Sequence, residues 1–285
     1  MRRQFNFQRA FTLVELLVVI GIITILIAIL LPVLNRVKQQ AQQVACASNL
    51  RQLGAAMTIY TGEYGCFPEV ELSGVGGNKS AHCWPVRLRK LLKGNQQVFY
   101  CPAQNERCRW TPDAPGPVLL ADDFAARFGY EVGERLLLLE GTYFSYGYNE
   151  MGAWGGPGFP APRGMGKDFV NVFTPTDYKR VARRSTSVKS SSEFIIIGDT
   201  AADGWADLSI RSSPTALMPG DSSKAQPGLD DTLAEIHRGG SNLLFCDGHV
   251  EWHLRNELAT DWPVVAQQGH RQRFWNIDNQ PSRPW

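Results

Sequence analysis

The residues best suited to chemistry lie near the C-terminal end, where His237 is followed by nine residues and then by Asp247 and Gly248. A histidine and a carboxylate are common components of metal sites and of general acid–base pairs. In the structural alternative, His237 hydrogen-bonds a turn or loop and fixes the register of a hairpin. We favour this alternative, because no nucleophile or third ligand accompanies the pair at a suitable spacing.

A second set of candidate ligands directly follows this pair. His249, Glu251 and His253 alternate along the chain, so in a strand they share one face. Two imidazoles and a carboxylate suit a divalent metal, but an exposed polar strand face has the same pattern. We favour the exposed face.

An acidic group follows the apolar run 195–197 and consists of Asp199, Asp203 and Asp207. Carboxylates in a loop are ligands that Ca²⁺ takes, but the spacing differs from that of the calcium loop in an EF-hand. We therefore expect solvated loop carboxylates.

We expect a hairpin to position the first two sets of candidate ligands, namely the pair of His237 and Asp247 and the alternating residues of 249–253. The strand-like runs 243–246 and 249–252 flank Asp247 and Gly248, and an Asp-Gly pair is typical of a two-residue turn with positive φ at both positions. We expect Gly239 and Gly240 to supply the preceding bend.

The bulk composition narrows the class of protein. The 285 residues carry a net charge of +2, without the concentrated basic face that indicates nucleic-acid binding. The chain is 44% hydrophobic and 20% charged, which is ordinary for one large domain or two small ones. The sequence contains no phosphate-binding loop, nucleophile elbow or zinc-protease helix, and we expect no enzymatic activity.

The N-terminal segment is the most distinctive part of the chain. Residues 1–10 carry three arginines and no acid, and the apolar run 11–34 is long enough to cross a bilayer. This run is longer than the apolar region of a secretory signal peptide and has no small-residue cleavage site before Pro32. Basic residues ahead of the run favour a cytoplasmic N-terminus.

Glu15 distinguishes this helix from an ordinary signal anchor. A carboxylate near the end of a spanning helix costs about 2–3 kcal/mol or more without a partner, and no basic residue lies within a turn or two of it on the mature side of the cut. Cleavage between Ala10 and Phe11 would create an α-amine four residues before Glu15. In a stacked assembly, the carboxylate of one subunit would then neutralise the amine of its neighbour.

Ala10 and the following Phe-Thr-Leu-Val-Glu run resemble the processing motif of the type IV prepilin and type II secretion pseudopilin families, although those families more often have glycine before the cut. The resemblance implies cleavage and N-methylation by a prepilin peptidase, which leaves N-methyl-Phe11 as the mature terminus. It also implies a single-pass protein of the bacterial inner membrane, with its head in the periplasm or in an extracellular filament. Other pilin-like subunits are the implied partners, through the N-terminal helix.

The helix is expected to continue beyond the membrane. Apolar residues recur every three or four positions from Val37 to Tyr60, which is the period of an amphipathic helix. Pro32 matches a proline that many pilins carry, and it should kink or loosen the helix because it lacks a backbone donor. We predict one nearly continuous helix, membrane-spanning over 11–34 and amphipathic over 35–61; two helices meeting at Pro32 are the alternative.

Gly62 and Gly65 are expected to end the helix, so that residues 62–285 form the head. The segment from His237 to Gly248 resembles the H-X9-DG signature of a prepilin-type processing-associated family, whose members often carry a DUF1559-like head. The resemblance implies an α+β, pilin-like fold, in which the long helix packs on an antiparallel sheet with long loops and the H-X9-DG hairpin covers 237–253. Further family-like segments are residues 49–54, 100–102, 145–149 and 195–199.

The six cysteines allow 15 full pairings, and the sequence does not choose among them. Cys46 and Cys101 lie in or next to family-like segments, so a disulfide between them would tie the helix to the head. A bond between Cys101 and Cys108 would close a small loop instead.

Three functions remain open on the residues alone, and we favour the first: a structural subunit of a type II secretion pseudopilus or type IV pilus-like filament. The second is a membrane-tethered extracytoplasmic enzyme that uses His237 and Asp247. We expect no nucleic-acid partner and no cofactor; the alternative, by analogy with major pseudopilins, is calcium at the carboxylates of 199–207. The third function is a glycan-binding module on the same anchor, with stacking tryptophans at Trp84, Trp110, Trp154 and Trp205.

Overall fold

A computed structural model describes residues 12–68, 84–110, 115–118, 129–131, 133–137, 144–149, 184–200, 235–258 and 274–275 of the chain. The chain divides into two compact units, Met1–Ala41 and Gln42–Trp285. Helix α1 begins in the first unit and ends in the second, and the described strands belong to the second unit.

Helix α1 spans Leu13–Tyr64 and contains Pro32 in its interior. The prediction of one continuous helix is therefore confirmed, and the alternative of two helices meeting at Pro32 is wrong. Of the two glycines expected to end the helix, Gly62 lies inside it and Gly65 caps it. Gly65 has a φ of 69°, and its amide donates to the carbonyl of Thr61 over 2.9 Å, as in a left-handed C-cap.

In the first unit, α1 leaves its apolar side chains exposed. Each large apolar side chain from Leu13 to Leu34 is at least 45% exposed, which is rare for a helix in contact with water. By length and composition this part of the helix is able to cross a membrane. The first half of α1 is thus an apolar surface without a covering element in the described chain.

The head contains antiparallel strands and short helices. The described elements are β1 (Pro115–Val118), β2 (Arg135–Leu137), β3 (Tyr146–Tyr148), β4 (Ile195–Asp199), β5 (Gly240–Phe245), β6 (Val250–Leu254), α2 (Trp84–Arg89) and α3 (Arg255–Leu258). Strands β3, β4, β5 and β6 form a four-stranded antiparallel sheet in that order, and β1 pairs with β2 separately. The α+β architecture with a long N-terminal helix and an antiparallel sheet is confirmed.

The part of α1 that belongs to the head packs on one face of the four-stranded sheet. Leu50, Leu53 and Met57 are at most 3% exposed and share a core with Leu244 of β5. Gly54 marks the closest approach, because a Cβ there would lie 2.8 Å from Cδ1 of Leu244. The absence of a side chain at Gly54 therefore allows the helix to lie directly on the sheet.

The opposite face of the sheet has its own core. Leu243 and Phe245 alternate with the helix-facing residue of β5, as side chains of a strand do, and they pack with Ile195, Leu258 and Trp275. Both faces are thus covered, which explains why every residue of β4 and β5 is buried.

The tight turn with positive φ lies before β5, at Arg238 and Gly239, where φ is 58° and 82°. His237 and Gly240 close this turn by exchanging backbone hydrogen bonds of 3.1 and 3.2 Å. Two successive residues with positive φ are typical of the type I′ hairpin turn. Gly240, which was expected in the bend, is the first residue of β5.

The connection between β5 and β6 has four residues, 246–249, so the prediction of a two-residue turn is wrong. Gly248 has a φ of 92°, whereas Asp247 does not take a positive φ. The longer loop lets the amides of residues 246 and 247 donate to the carbonyls of Phe194 and Ser191, over 2.9 and 3.1 Å. These two hydrogen bonds to the segment before β4 stabilise the longer connection.

Gly240 lies where the hairpin leaves no room for a side chain. A Cβ at this position would overlap the carbonyl oxygen of His253 and would lie 2.7 Å from the ring of Trp252. Trp252 crosses this position because its indole N–H donates to the carbonyl of His237 over 2.8 Å.

We predict that Gly240→Ala lowers the free energy of unfolding of the head by about 1–3 kcal/mol, because the added methyl must displace Trp252 or the strand backbone. The matched control is Gly62→Ala, where a Cβ meets nothing within 4 Å and helix propensity favours alanine by up to about 1 kcal/mol. Denaturant unfolding followed by tryptophan fluorescence reports on the head, since all eight tryptophans lie beyond residue 83. Equal midpoints for the two variants would contradict the prediction.

Candidate functional site

Four side chains from four separate segments meet in the interior of the head. Cys46 lies on α1, Cys101 follows the 3-10 turn Gln96–Phe99, Asp199 ends β4, and His237 precedes β5. All four residues are at most 2% exposed, and their potential ligand atoms lie within 4.8 Å of one another. We call these four residues the buried cluster.

The donor atoms of the buried cluster are in direct contact. The Cys46 thiol donates to Oδ1 of Asp199 over 3.0 Å, and Sγ of Cys101 lies 3.3 Å from Nε2 of His237. The same Nε2 lies 3.6 Å from Oδ2 of Asp199. Two sulfurs, one imidazole nitrogen and one carboxylate thus face a common centre.

Asp199 is a fully buried carboxyl group whose charge is stabilised by only a few neighbouring groups among the described residues. In the described part of the chain it accepts from the Cys46 thiol and from the backbone amide of Asn242, the latter over 2.6 Å, and the basic side chain near it is that of His237. Burial raises the pKa of Asp199 to about 7, against the lowering effect of the two hydrogen bonds. Burial also lowers the pKa of His237 to about 4, so the histidine is neutral at pH 7.

The Cys46 thiol and Nδ1 of His237 also have few hydrogen-bond partners. The Tyr146 hydroxyl donates to Sγ of Cys46 over 3.4 Å, and burial raises the pKa of the Cys46 thiol well above its ordinary value. Nδ1 of His237 is buried and has no hydrogen-bond partner among the residues that the structure describes. An interior polar atom without a partner carries a desolvation cost.

One face of α1 holds the Cys101 segment in place. Gln42, Cys46 and Asn49 stand at positions i, i+4 and i+7, which share a face of a helix. The Gln42 amide donates to the carbonyl of residue 102 over 2.8 Å, and the Asn49 amide donates to the carbonyl of residue 100 over 2.9 Å. Cys101 lies between these two anchored carbonyls, so the helix determines where its sulfur points.

The sheet positions the other two members of the buried cluster. Asp199 is the last residue of β4, and its carboxylate is held by the backbone amide of Asn242 on the neighbouring strand β5. His237 is fixed by the Arg238–Gly239 turn and by the hydrogen bond from Trp252 to its carbonyl. Cys46 and Asp199 therefore lie on regular elements, α1 and β4, and hydrogen bonds to α1 and from β6 hold the segments that carry Cys101 and His237.

His237 and Asp247 do not form a pair. The imidazole of His237 faces Cys101 and Asp199, whereas Asp247 lies in the connection 246–249 and accepts from the backbone amide of His249 over 3.1 Å. No third ligand accompanies the pair at a suitable spacing in the sequence, but His237 has potential ligands beside it in space, because its neighbours come from distant segments. Local spacing in the sequence carries no sign of them.

His249, Glu251 and His253 lie on a largely exposed edge of the hairpin. His249 stacks on Phe245 with ring centroids 4.3 Å apart, and Glu251 is 3.3 Å from Nε2 of His253. The Glu251 side chain is 58% exposed. Within the described residues, the group of metal-ligand side chains that comes together is the buried cluster and not this one.

The acidic group and the cysteines also differ from expectation. Asp199 is not a solvated loop carboxylate, because it ends a strand whose two faces are covered; Asp203 and Asp207 lie outside the described residues. Cys101 does not bond to Cys108, and the thiols of Cys46 and Cys101 share the buried cluster without a disulfide.

The structure describes two of the four tryptophans considered for glycan stacking, and both are buried. Trp84 and Trp110 are at most 2% exposed and belong to the core. Trp84 stacks on Tyr148 at 5.8 Å, which is a packing role. Trp154 and Trp205 lie outside the described residues.

Glu15 has a local partner at the start of α1. Its Oε2 accepts from the amide and the hydroxyl of Thr12, over 2.9 and 2.8 Å, and the Thr12 hydroxyl in turn accepts from the Glu15 amide over 3.2 Å. This reciprocal arrangement is a capping box. The expectation that Glu15 has no partner of its own is therefore wrong as far as hydrogen bonds are concerned, because Thr12 supplies two.

Comparison with known proteins supports the N-terminal assignment. Residues 5–31 match the prokaryotic N-terminal methylation motif. No curated protein and no solved structure matches the chain significantly. The motif supports a type IV prepilin-like protein that is processed by a prepilin peptidase and is associated with a bacterial membrane.

We predict that Asn49→Ala lowers the free energy of unfolding of the head by about 1–3 kcal/mol, because the carbonyl of residue 100 loses its donor. The matched control is Gln52→Ala on the same helix, whose amide contacts only the carbonyl of Ser48 within the described residues, and its effect should stay within about 0.5 kcal/mol. Denaturant unfolding by tryptophan fluorescence measures both. An Asn49→Ala midpoint equal to that of Gln52→Ala would show that α1 does not anchor the Cys101 segment.

Proposed function

We propose that the protein is a structural subunit of a type II secretion pseudopilus or a type IV pilus-like filament. The observation that carries this proposal is the methylation motif at residues 5–31, joined to a helix whose apolar side chains are exposed from Leu13 to Leu34. A processed apolar helix of this kind either stays in the bilayer or packs with copies of itself, and both environments cover the apolar surface.

The state of Glu15 supports assembly rather than simple anchoring. Both hydrogen bonds from Thr12 go to Oε2, so Oε1 has no partner among the described residues and is available to a cation. Removal of residues 1–10 creates a positive α-amine at Phe11 on each subunit. A carboxylate in an apolar medium gains most from a charged partner, and the amine of a neighbouring subunit is such a partner.

Within the residues that the structure describes, the pair that suggested the enzyme alternative does not come together. The residues that suggested it, His237 and Asp247, point to different surroundings, one buried and one in an exposed turn. The head therefore serves as the folded body of the subunit in this proposal.

We predict that the mature protein begins with N-methyl-Phe11 when it is expressed together with a prepilin peptidase. Mass spectrometry of the purified chain measures this directly, as the loss of residues 1–10 and the gain of one methyl group. A host without the peptidase is the control and should yield the uncut chain. An intact Met1 in the presence of active peptidase would reduce the protein to a signal anchor.

We predict that the charge of Glu15, and not its capping box, is required for assembly. Glu15→Gln keeps a side-chain oxygen that can cap Thr12 but removes the charge, whereas Thr12→Ala removes the capping hydroxyl and keeps the charge. Glu15→Gln should abolish cross-linking of subunits into multimers in membranes, and Thr12→Ala should leave it largely intact. Glu63→Ala, at an exposed position near the other end of α1, is the control for loss of an acid.

Two outcomes would contradict this assignment. Multimer cross-linking by Glu15→Gln at the wild-type level would show that the charge is dispensable and that Glu15 only caps the helix. Loss of cross-linking in Glu63→Ala as well would show that the assay responds to acidity in general. N-terminal mass spectrometry of each variant separates a failure of assembly from a failure of cleavage.

A further inference from the structure

We propose that Cys46, Cys101, Asp199 and His237 bind one structural Zn²⁺ ion inside the head. The inference does not depend on the proposed function, because all four residues belong to the unit Gln42–Trp285. It rests on their donor types, their separations and their burial.

The donor types match zinc. Structural zinc sites use four protein ligands drawn from cysteine, histidine and acidic residues, in a tetrahedral arrangement. Thiolate sulfur and imidazole nitrogen together favour zinc over Mg²⁺ and Ca²⁺, which prefer oxygen. Two sulfurs, one nitrogen and one carboxylate oxygen complete such a set without a further ligand.

The separations are close to those of a tetrahedral site. Sulfur bound at about 2.3 Å and nitrogen or oxygen bound at about 2.0–2.2 Å stand about 3.3–3.8 Å apart at tetrahedral angles. The distance is 3.0 Å from Sγ of Cys46 to Oδ1 of Asp199, 3.3 Å from Sγ of Cys101 to Nε2 of His237, and 3.6 Å from that Nε2 to Oδ2 of Asp199. All the ligand atoms lie within 4.8 Å of one another, so modest side-chain shifts bring them around one ion.

Burial gives the site its structural character. Each member of the buried cluster is at most 2% exposed, so no solvent molecule is needed as a fourth ligand, in contrast to catalytic zinc sites. Hydrogen bonds from the Asn242 amide to Asp199 and from the Tyr146 hydroxyl to Cys46 orient the ligands from outside. Such outer contacts are a regular feature of metal sites.

A cation also offsets much of the cost of the buried cluster. A buried carboxylate without a strong partner is costly, and Zn²⁺ offsets two of the three negative charges that Asp199 and two thiolates carry, with release of the two thiol protons. A disulfide between Cys46 and Cys101, the competing use of the two sulfurs, satisfies neither Asp199 nor His237. The four-residue arrangement therefore favours the metal.

The test uses the full chain, purified in detergent with a reductant and without chelators. We expect about one zinc per chain by elemental mass spectrometry. After removal of the metal, Co²⁺ added in its place should give the thiolate charge-transfer band and the strong visible bands of a tetrahedral sulfur-containing site. This spectrum of the unmodified protein does not depend on whether any variant folds.

Variants assign the ligands. Asp199→Asn keeps the shape of the side chain and an acceptor for the Asn242 amide, and it should weaken zinc binding at least tenfold. Cys46→Ser should weaken binding further and reduce the cobalt charge-transfer band. Cys246→Ser, a half-buried thiol outside the buried cluster, is the matched control and should bind zinc as the unmodified chain does.

Three results would overturn the proposal. The first is reduced protein that takes up neither zinc nor tetrahedral Co²⁺, and the second is a Cys46–Cys101 disulfide found by non-reducing peptide mapping of protein from its native compartment. The third is equal loss of zinc in Cys46→Ser and Cys246→Ser. None of these measurements involves N-terminal processing or filament assembly, so failure of the zinc proposal leaves the proposed function intact.

Discussion

The packing of α1 on the four-stranded sheet is the contact on which the rest of the head depends. Gly54 lies against Leu244, and this close approach fixes both the depth and the rotation of the helix. Neighbouring helix positions are about 100° apart around the axis, so the same rotation that buries Leu50 also turns Cys46 inward and directs Asn49 to the carbonyl of residue 100. The apolar core and the buried cluster are two consequences of one helix register.

Features encoded by neighbouring residues were predictable from the sequence, although not in detail. The apolar run, the period of α1 and the existence of the β5–β6 hairpin all followed from local patterns. The assignment of turns did not, since the type I′ turn falls at Arg238 and Gly239 and not at Asp247 and Gly248. A tertiary contact accounts for this difference: the hydrogen bond from Trp252 to the carbonyl of His237 stabilises the first turn.

The buried cluster was not predictable from spacing, because its members are remote in the sequence. Cys46 and Asp199 are 153 residues apart, and Cys101 and His237 are 136 residues apart, so no motif of fixed length contains them. A partial signal existed, since each member lies in or beside a family-like segment. The hypothesis of a link between Cys46 and Cys101 used that signal and identified two of the four residues, but it assumed a covalent bond that the structure does not contain.

The presence of four polar side chains in this core calls for an explanation beyond packing. Apolar residues of the same volume would fill the space without a desolvation cost, and buried ionic groups often stabilise less than such replacements. A shared cation changes this balance, because it binds the folded arrangement and links segments that are far apart in the unfolded chain. A metal that binds the folded head and not the unfolded chain adds its binding free energy to the stability of the fold. In the proposed site, the four polar side chains therefore contribute through the ion that they hold rather than through their own packing.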